Sequence, residues 1–321
     1  MPSLLSYITA PVALIMLYPI SFGNQTSPES TVKLPEEILA IEQDRAQRMT
    51  VPVSIEGKGP FSFVIDTGAE RTVLATGIAK QLALESEKPA RMMSIAGTSM
   101  VDMVYVPSLQ LGRKNYDGLI TPVLAAKHIG ADGILGLDGL QDQRIVFDFV
   151  KNEIAIEDGA RARPNGMERE IIVTARRRSG QLIFTDATIS GVRVNVIVDT
   201  GAQMSIGNMA LKQRLLKRAQ QVGDNNMLIA VTGATLGVEV AVVRNVTMGR
   251  AQFSSMAVAF ADAPPFERFG MRDKPALLLG MDVLRKFDRV AIDFGTRKIY
   301  FTPPKDAAEH FERATSGRIK S

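Results

Sequence analysis

One short stretch of this chain occurs twice, and each copy carries a carboxylate where chemistry is possible. Phe63-Val64-Ile65-Asp66-Thr67-Gly68-Ala69 is matched by Val196-Ile197-Val198-Asp199-Thr200-Gly201-Ala202. In both copies three apolar, mostly β-branched residues run into an Asp that opens a tight Thr-Gly turn. A strand end is a rigid mount, and Gly lets the backbone turn beside whatever the Asp must touch. An acidic group placed there is costly unless it is paired or put to use. Two such motifs in one chain suggest that the two carboxylates meet. Carboxylates held close cannot both ionise easily, so they share a proton and offer an acid and a base at one place.

The elements that must position these residues are mostly strands. Val51, Val53 and Ile55 alternate with polar neighbours, and Glu56-Gly57-Lys58-Gly59-Pro60 reads as a hairpin turn into the strand ahead of Asp66. A short helix is expected over Thr76 to Leu84 with Thr76 as its N-cap. Two strands flank Ala96-Gly97-Thr98, and a closing hairpin is expected over Ile145 to Ile156. The pattern restarts beyond Glu157 to Glu168. Leu228 to Val243 then pairs around Thr232-Gly233-Ala234, and Met209 to Ala219 reads as a helix. Corresponding points are spaced 133 (Asp66, Asp199), 137 (Gly112, Gly249), 144 (Gly136, Gly280) and 145 (Asp148, Asp293) positions apart. Order is kept while the offset grows by small insertions, which marks a duplication. One insertion stands out: Gly249 to Gly280 spans 31 positions against 24 for Gly112 to Gly136, and it contains Pro264, Pro265, Phe266 and Phe269. That loop, Pro264 to Pro275, is expected to shape one side of a cleft. Asp138 and Asp282 read as helix N-terminal caps, and Asp148 and Asp293 as exposed or hydrogen-bonded structural positions.

These motifs resemble the aspartic proteases, and closely their retropepsin-like branch. That branch combines apolar-apolar-Asp-Thr-Gly-Ala, a flap hairpin bearing glycine, and apolar-apolar-Gly before a short helix. Gly97 and Gly233 stand at the flap positions, and Ile134-Leu135-Gly136 and Leu278-Leu279-Gly280 supply the third element. The resemblance covers about Thr50 to Thr302. It implies a mainly β fold of two tandem retropepsin-like lobes related by a pseudo-twofold axis, with the cleft between them. It implies that Asp66 and Asp199 form a catalytic dyad that activates a water for peptide hydrolysis. Thr67 and Thr200 would bond across the axis, and the Gly68 and Gly201 amides would support the carboxylates. Ala69, Ala202, Glu70, Gln203 and the flap glycines would line the substrate cleft. Viral members place an Arg after the third element to brace the acidic residue that follows Asp-Thr-Gly-Ala. Here Leu137-Asp138 and Met281-Asp282 stand there instead, which leaves the roles of Glu70 and Gln203 open. Pepsin-like relatives carry a hydroxyl after Asp-Thr-Gly, whereas Ala69 and Ala202 offer none, so the dyad is expected to titrate at less acidic pH. A peptide-binding module that keeps the cleft without turnover is the alternative, although retention of both Asp residues favours the enzyme.

Composition sets the remaining bounds. The chain of 321 residues is 45% hydrophobic and 22% charged, long enough for two lobes. With no Cys and only His128 and His310, a His-rich or Cys-rich metal site is excluded, and no cofactor is expected. A formal net charge of +4 with 6% aromatic residues and no Trp does not suit nucleic-acid binding. A peptide or protein is the expected partner, and a monomer the default because both lobes lie in one chain. Residues 4–22 are largely apolar, with a core length suited to a signal peptide ending near residue 23. Export to a periplasmic or secreted location follows as an expectation, with membrane association through residues 4–22 if that segment stays uncleaved. The expected organisation is a leader at 1–23, a linker or surface helix at 24–49, lobes at 50–158 and 168–303, and a polar tail at 304–321.

Overall fold

Apolar alternation becomes strand almost everywhere the chain can bury one face. The computed structural model describes residues 14–16, 49–140, 143–158, 170–178, 180–215 and 220–305. Apart from Leu14–Met16, the leader and the linker helix expected from the sequence lie outside the described residues, as does most of the polar tail. Among the described residues, no helix is long and apolar enough to cross a membrane.

The first lobe contains β2 (Thr50–Ile55), β3 (Lys58–Ile65), β4 (Val73–Ala75), β5 (Ser86–Ser94), β6 (Gly97–Leu111), β7 (Lys114–Leu124) and β8 (Gly133–Leu135), preceded in the chain by the short β1 (Leu14–Met16). Their order is β2-β3-β8-β4-β7-β6-β5, and β2 also pairs with β6. That extra pairing closes six of the strands into a barrel and leaves β5 as a flap strand outside it. The second lobe repeats this plan with β12 (Arg176–Arg178), β13 (Gln181–Phe184), β14 (Ala187–Ile189), β15 (Val192–Arg193), β16 (Asn195–Val198), β17 (Ile206–Gly207), β18 (Gln220–Ile229), β19 (Thr235–Met248), β20 (Ala251–Phe260) and β21 (Ala276–Leu279). β1 lies antiparallel to the end of β18, with Leu14 opposite Ile229.

The parallel pairs of each lobe are equivalent. β3 runs beside β8 with Ile65 opposite Leu135, and β16 runs beside β21 with Val198 opposite Leu279. A strand buried on both faces reads as a continuous apolar run, and this is the character of Phe63-Val64-Ile65 and Val196-Ile197-Val198. Each pair therefore ends at its Asp with the apolar-apolar-Gly segment behind it. The Asp66 amide donates to Leu135 O and the Asp199 amide to Leu279 O, both at 3.0 Å.

A third sheet joins the halves. Its order is β10-β9-β22-β23-β11, built from β9 (Gln143–Asp148), β10 (Glu153–Asp158), β11 (Ile171–Thr174), β22 (Arg289–Asp293) and β23 (Lys298–Thr302). The central contact is β9 against β22, antiparallel, with Arg289 opposite Asp148. Thus the closing hairpins of both lobes pair with each other, and one apolar core runs from Val51 and Phe63 to Val196 and Phe301. The molecule is mainly β, with two tandem lobes and a cleft between them.

Some local expectations change. Ala75, not Thr76, precedes the helix Thr76–Gln81, and Thr76 Oγ1 instead donates to Leu124 O (3.0 Å). The insertion in the second lobe is partly helical: Pro264–Arg268 forms a short helix with Pro at its start, where a missing N–H costs nothing.

Candidate active site

The two Asp-Thr-Gly-Ala turns face each other at the centre of the molecule. Asp66 and Asp199 are buried, at 0% and 3% exposure. Within each turn the inner carboxylate oxygen is held by two backbone amides. Asp66 Oδ1 accepts from Gly68 N (2.7 Å) and Ala69 N (3.1 Å), and Asp199 Oδ1 from Gly201 N (3.0 Å) and Ala202 N (3.1 Å). The turns approach so closely that glycine is required between them. A Cβ on Gly68 would lie 2.6 Å from Asp199 Oδ1, and one on Gly201 would lie 2.3 Å from Asp66 Oδ2.

The threonines lock this approach. Thr67 Oγ1 donates to Val198 O (2.7 Å) and accepts from Thr200 N (3.2 Å). Thr200 Oγ1 returns both bonds, donating to Ile65 O (2.9 Å) and accepting from Thr67 N (3.0 Å). Each hydroxyl thus ties its own turn to the strand end of the other lobe. Gln181 adds a further cross-tie, donating from Nε2 to Gly68 O (2.9 Å).

Electrostatics follow from burial and proximity. Burial raises the Asp66 carboxyl well above the usual range, and the neighbouring Asp199 charge raises it further. Asp199 is also raised, chiefly by burial, against bonds from Ala202 N, the Asp66 carboxyl and Gly201 N that favour its charged form. Asp66 Oδ2 is buried and, among the described residues, has no N–H or O–H donor. The direction agrees with the expectation drawn from Ala69 and Ala202, but the cause is burial, and the alanine amides supply the donors their side chains lack.

A second pair of acids supports the turns from behind. Asp138 accepts from Thr72 N (2.9 Å) and Thr72 Oγ1 (2.7 Å), and Asp282 accepts from Ser205 Oγ (2.8 Å). The same hydroxyls accept from the glycines of the third element, Gly136 N at 3.3 Å and Gly280 N at 3.0 Å. These acids are therefore braces rather than helix caps: neither short helix has a side-chain cap bond at its start, and the cap position is Gly136 or Gly280. The signal was present in the sequence, since Thr72 and Ser205 both stand six positions after their Asp. Asp148 and Asp293 cap turns, accepting from Lys151 N (2.9 Å) and Thr296 N (2.8 Å).

The flap hairpins cross over the site and exchange their tips. Gly97 and Gly233 hold φ of +121° and +83°, the left-handed region in which glycine is unstrained. Beside Gly97, Ile95 is buried among Ala202, Met204 and Ile206 of the second lobe. Val231, beside Gly233, is buried among Ala69, Val73 and Val101 of the first. A Cβ on Gly233 would lie 2.9 Å from His128 Nε2, so the second flap passes directly over that imidazole.

The cleft is not symmetric. A cavity of about 470 Å³ lies on the first lobe's side, bordered by Gly68, Ala69 and Glu70. Gln203, Gly97 and Gly233 do not border it. Its far wall is the inserted helix: Pro265, Arg268 and Phe269 reach it from the second lobe, and the helix packs against flap strand β5. Arg268 donates to Glu70 Oε1 from Nε at 2.7 Å and from Nη2 at 2.5 Å. An arginine thus braces the residue after Asp-Thr-Gly-Ala after all, supplied across the cleft. The pair is 43% and 45% exposed, so it contributes little to stability. Among the described residues, no cluster of three or more His, Cys, Asp or Glu side chains stands ready for a metal.

Comparison with known proteins agrees with this geometry. No curated protein sequence matches the chain significantly. The aspartyl protease family profile matches residues 51–138 and 185–283, one region per lobe and each containing its Asp-Thr-Gly-Ala turn. Those regions make up more than half of the chain, and the chain belongs to the aspartyl protease family.

Proposed function

We propose that this protein is an aspartic endopeptidase in which Asp66 and Asp199 together activate a water molecule. The observation that carries the reading is the pair itself: two buried carboxyls, each against the other lobe's glycine, with one outer oxygen lacking a donor among the described residues. Peptide hydrolysis without a covalent intermediate needs a base and an acid together. The ionised carboxyl takes a proton from water as the water oxygen attacks the scissile carbonyl carbon. The protonated carboxyl gives its proton to the carbonyl oxygen. Collapse of the resulting gem-diol breaks the C–N bond: the carboxyl that took the water proton delivers it to the leaving amine, while one gem-diol hydroxyl returns its proton to the other carboxyl and restores the singly protonated pair. The two amides at each inner oxygen hold the carboxyls fixed, so little reorganisation is required during reaction. The raised proton affinity of the pair keeps the singly protonated form available at mildly acidic to near-neutral pH.

The test is hydrolysis of a diverse peptide library by the wild-type protein and by Asp66→Asn and Asp199→Asn. Each substitution is expected to abolish cleavage while leaving the circular dichroism spectrum unchanged. Substantial activity in either purified variant would overturn the dyad assignment. Peptide binding without cleavage by the wild type at every pH would favour a binding module.

A further inference from the structure

We infer that the cavity on the first lobe's side is a cationic subsite that selects peptides with an acidic side chain on one side of the scissile bond. The inference rests on the peptidase reading and adds a substrate class to it. Four cations border the cavity, Arg71, Lys88, Arg91 and Arg268, against one carboxylate, Glu70. Arg268 engages that carboxylate in a two-donor contact and so cancels it. Among the described residues Arg71 meets only a carbonyl, Ile120 O at 3.5 Å, and neither Lys88 nor Arg91 has a carboxylate within 4.0 Å. The exposed cations stand beside apolar surface from Met92, Val101, Met103 and Pro122, which suits a side chain with an aliphatic stem and an anionic end.

Among the described residues, the equivalent positions of the second lobe carry no such set of cations. The motif offset turns Glu70-Arg71 into Gln203-Met204, neither charged, and Met204 is fully buried. Counted back from the flap glycines, Lys88 and Arg91 correspond to Asp224 and Met227. The inserted helix also occurs only once. A substrate lying across the dyad therefore meets positive charge on one side of its scissile bond and not on the other. In this arrangement Arg268 is a positioning residue: it neutralises Glu70, which would otherwise repel an incoming acid.

The probe is a set of fluorogenic octapeptides with apolar residues around the scissile bond and Glu, Gln or Lys placed at one flanking position at a time. One position, on one side only, is expected to give a kcat/KM about fivefold higher for Glu than for Gln, as for two exposed ion pairs. The ratio should shrink as salt is raised. Lys88→Glu/Arg91→Glu should reverse it in favour of Lys, and Arg268→Gln should lower it by releasing Glu70. Arg91→Gln alone, a milder change at an exposed position, should also reduce it, and thermal unfolding of each variant checks the fold. Cleavage of all three peptides at equal rates would overturn the subsite and leave the peptidase intact, as would a Glu preference on both sides or a ratio unmoved by the substitutions. If nothing is cleaved, the peptidase reading fails by itself and fluorescence anisotropy of the same peptides decides the subsite. Tighter binding of the Glu peptide supports it, and equal binding refutes it.

Discussion

Replacing Thr67 by Val tests whether the crossed hydroxyl bonds hold the lobes in register. Thr67 Oγ1 donates to Val198 O at 2.7 Å and accepts from Thr200 N at 3.2 Å. Valine keeps the shape but offers neither function, so one buried carbonyl and one buried N–H lose a partner. Thr67 is only 3% exposed, which leaves little room for water to replace it. Each buried orphan costs about 1–3 kcal/mol, so Thr67→Val is expected to destabilise by about 2–6 kcal/mol. In a chain of this size 1 kcal/mol moves Tm by roughly 2 °C, giving a fall of about 4–12 °C. Thr67→Ser is the control, since it keeps both bonds and loses a methyl worth about 0.8 kcal/mol. Urea and thermal unfolding followed by circular dichroism measure both variants. Thr200→Val should behave alike, and the double variant should cost less than the sum because the hydroxyls share one network. Equal stability of the Val and Ser variants would refute the argument.

The remaining predictions concern the brace and the turn. Burial raises the Asp282 carboxyl to about 6 despite its bonds from Ser205, so the native state holds a proton that the unfolded chain releases. This contribution is full below about pH 4 and is lost as pH rises through the native value, on the order of 3 kcal/mol. Asp282→Asn should flatten that part of the stability profile between pH 4 and 7 in urea unfolding, and an unchanged slope would contradict it. Gly201→Ala places a methyl where Asp66 Oδ2 lies, 2.3 Å away. Displacing the carboxyl by this much should lower kcat at least about a hundredfold with the fold retained, and full activity would show that the turns do not approach so closely.

Much of this architecture was legible because it is written twice. The paired Asp-Thr-Gly-Ala turns, the flap glycines and the apolar-apolar-Gly segments repeat in order, and repetition turns weak local signals into a strong one. Helix caps were harder to read: Asp138 and Asp282 sit at short helix starts, where an acid ordinarily caps, yet their partners Thr72 and Ser205 lie 66 and 77 positions away. The Arg268–Glu70 contact spans 198 positions, and nothing local to either residue announces it. Pro264-Pro265 looked like loop punctuation, but two prolines are equally suited to a helix's first turn. The β9–β22 pairing was hidden because both hairpins carry the same alternation, and alternation names a buried face without naming the neighbour.

The sheet that joins the halves also sets when the site can come into being. β9 finds its neighbour β22 only once residues 289–293 exist, and Asp66 lacks its counterpart until residue 199 has been made. A ribosome adds residues at about 5–20 per second. The first lobe therefore spends several seconds on the nascent chain with one carboxyl and half a cleft. Through that interval the facing pair of carboxyls is absent, because the second turn has yet to be made.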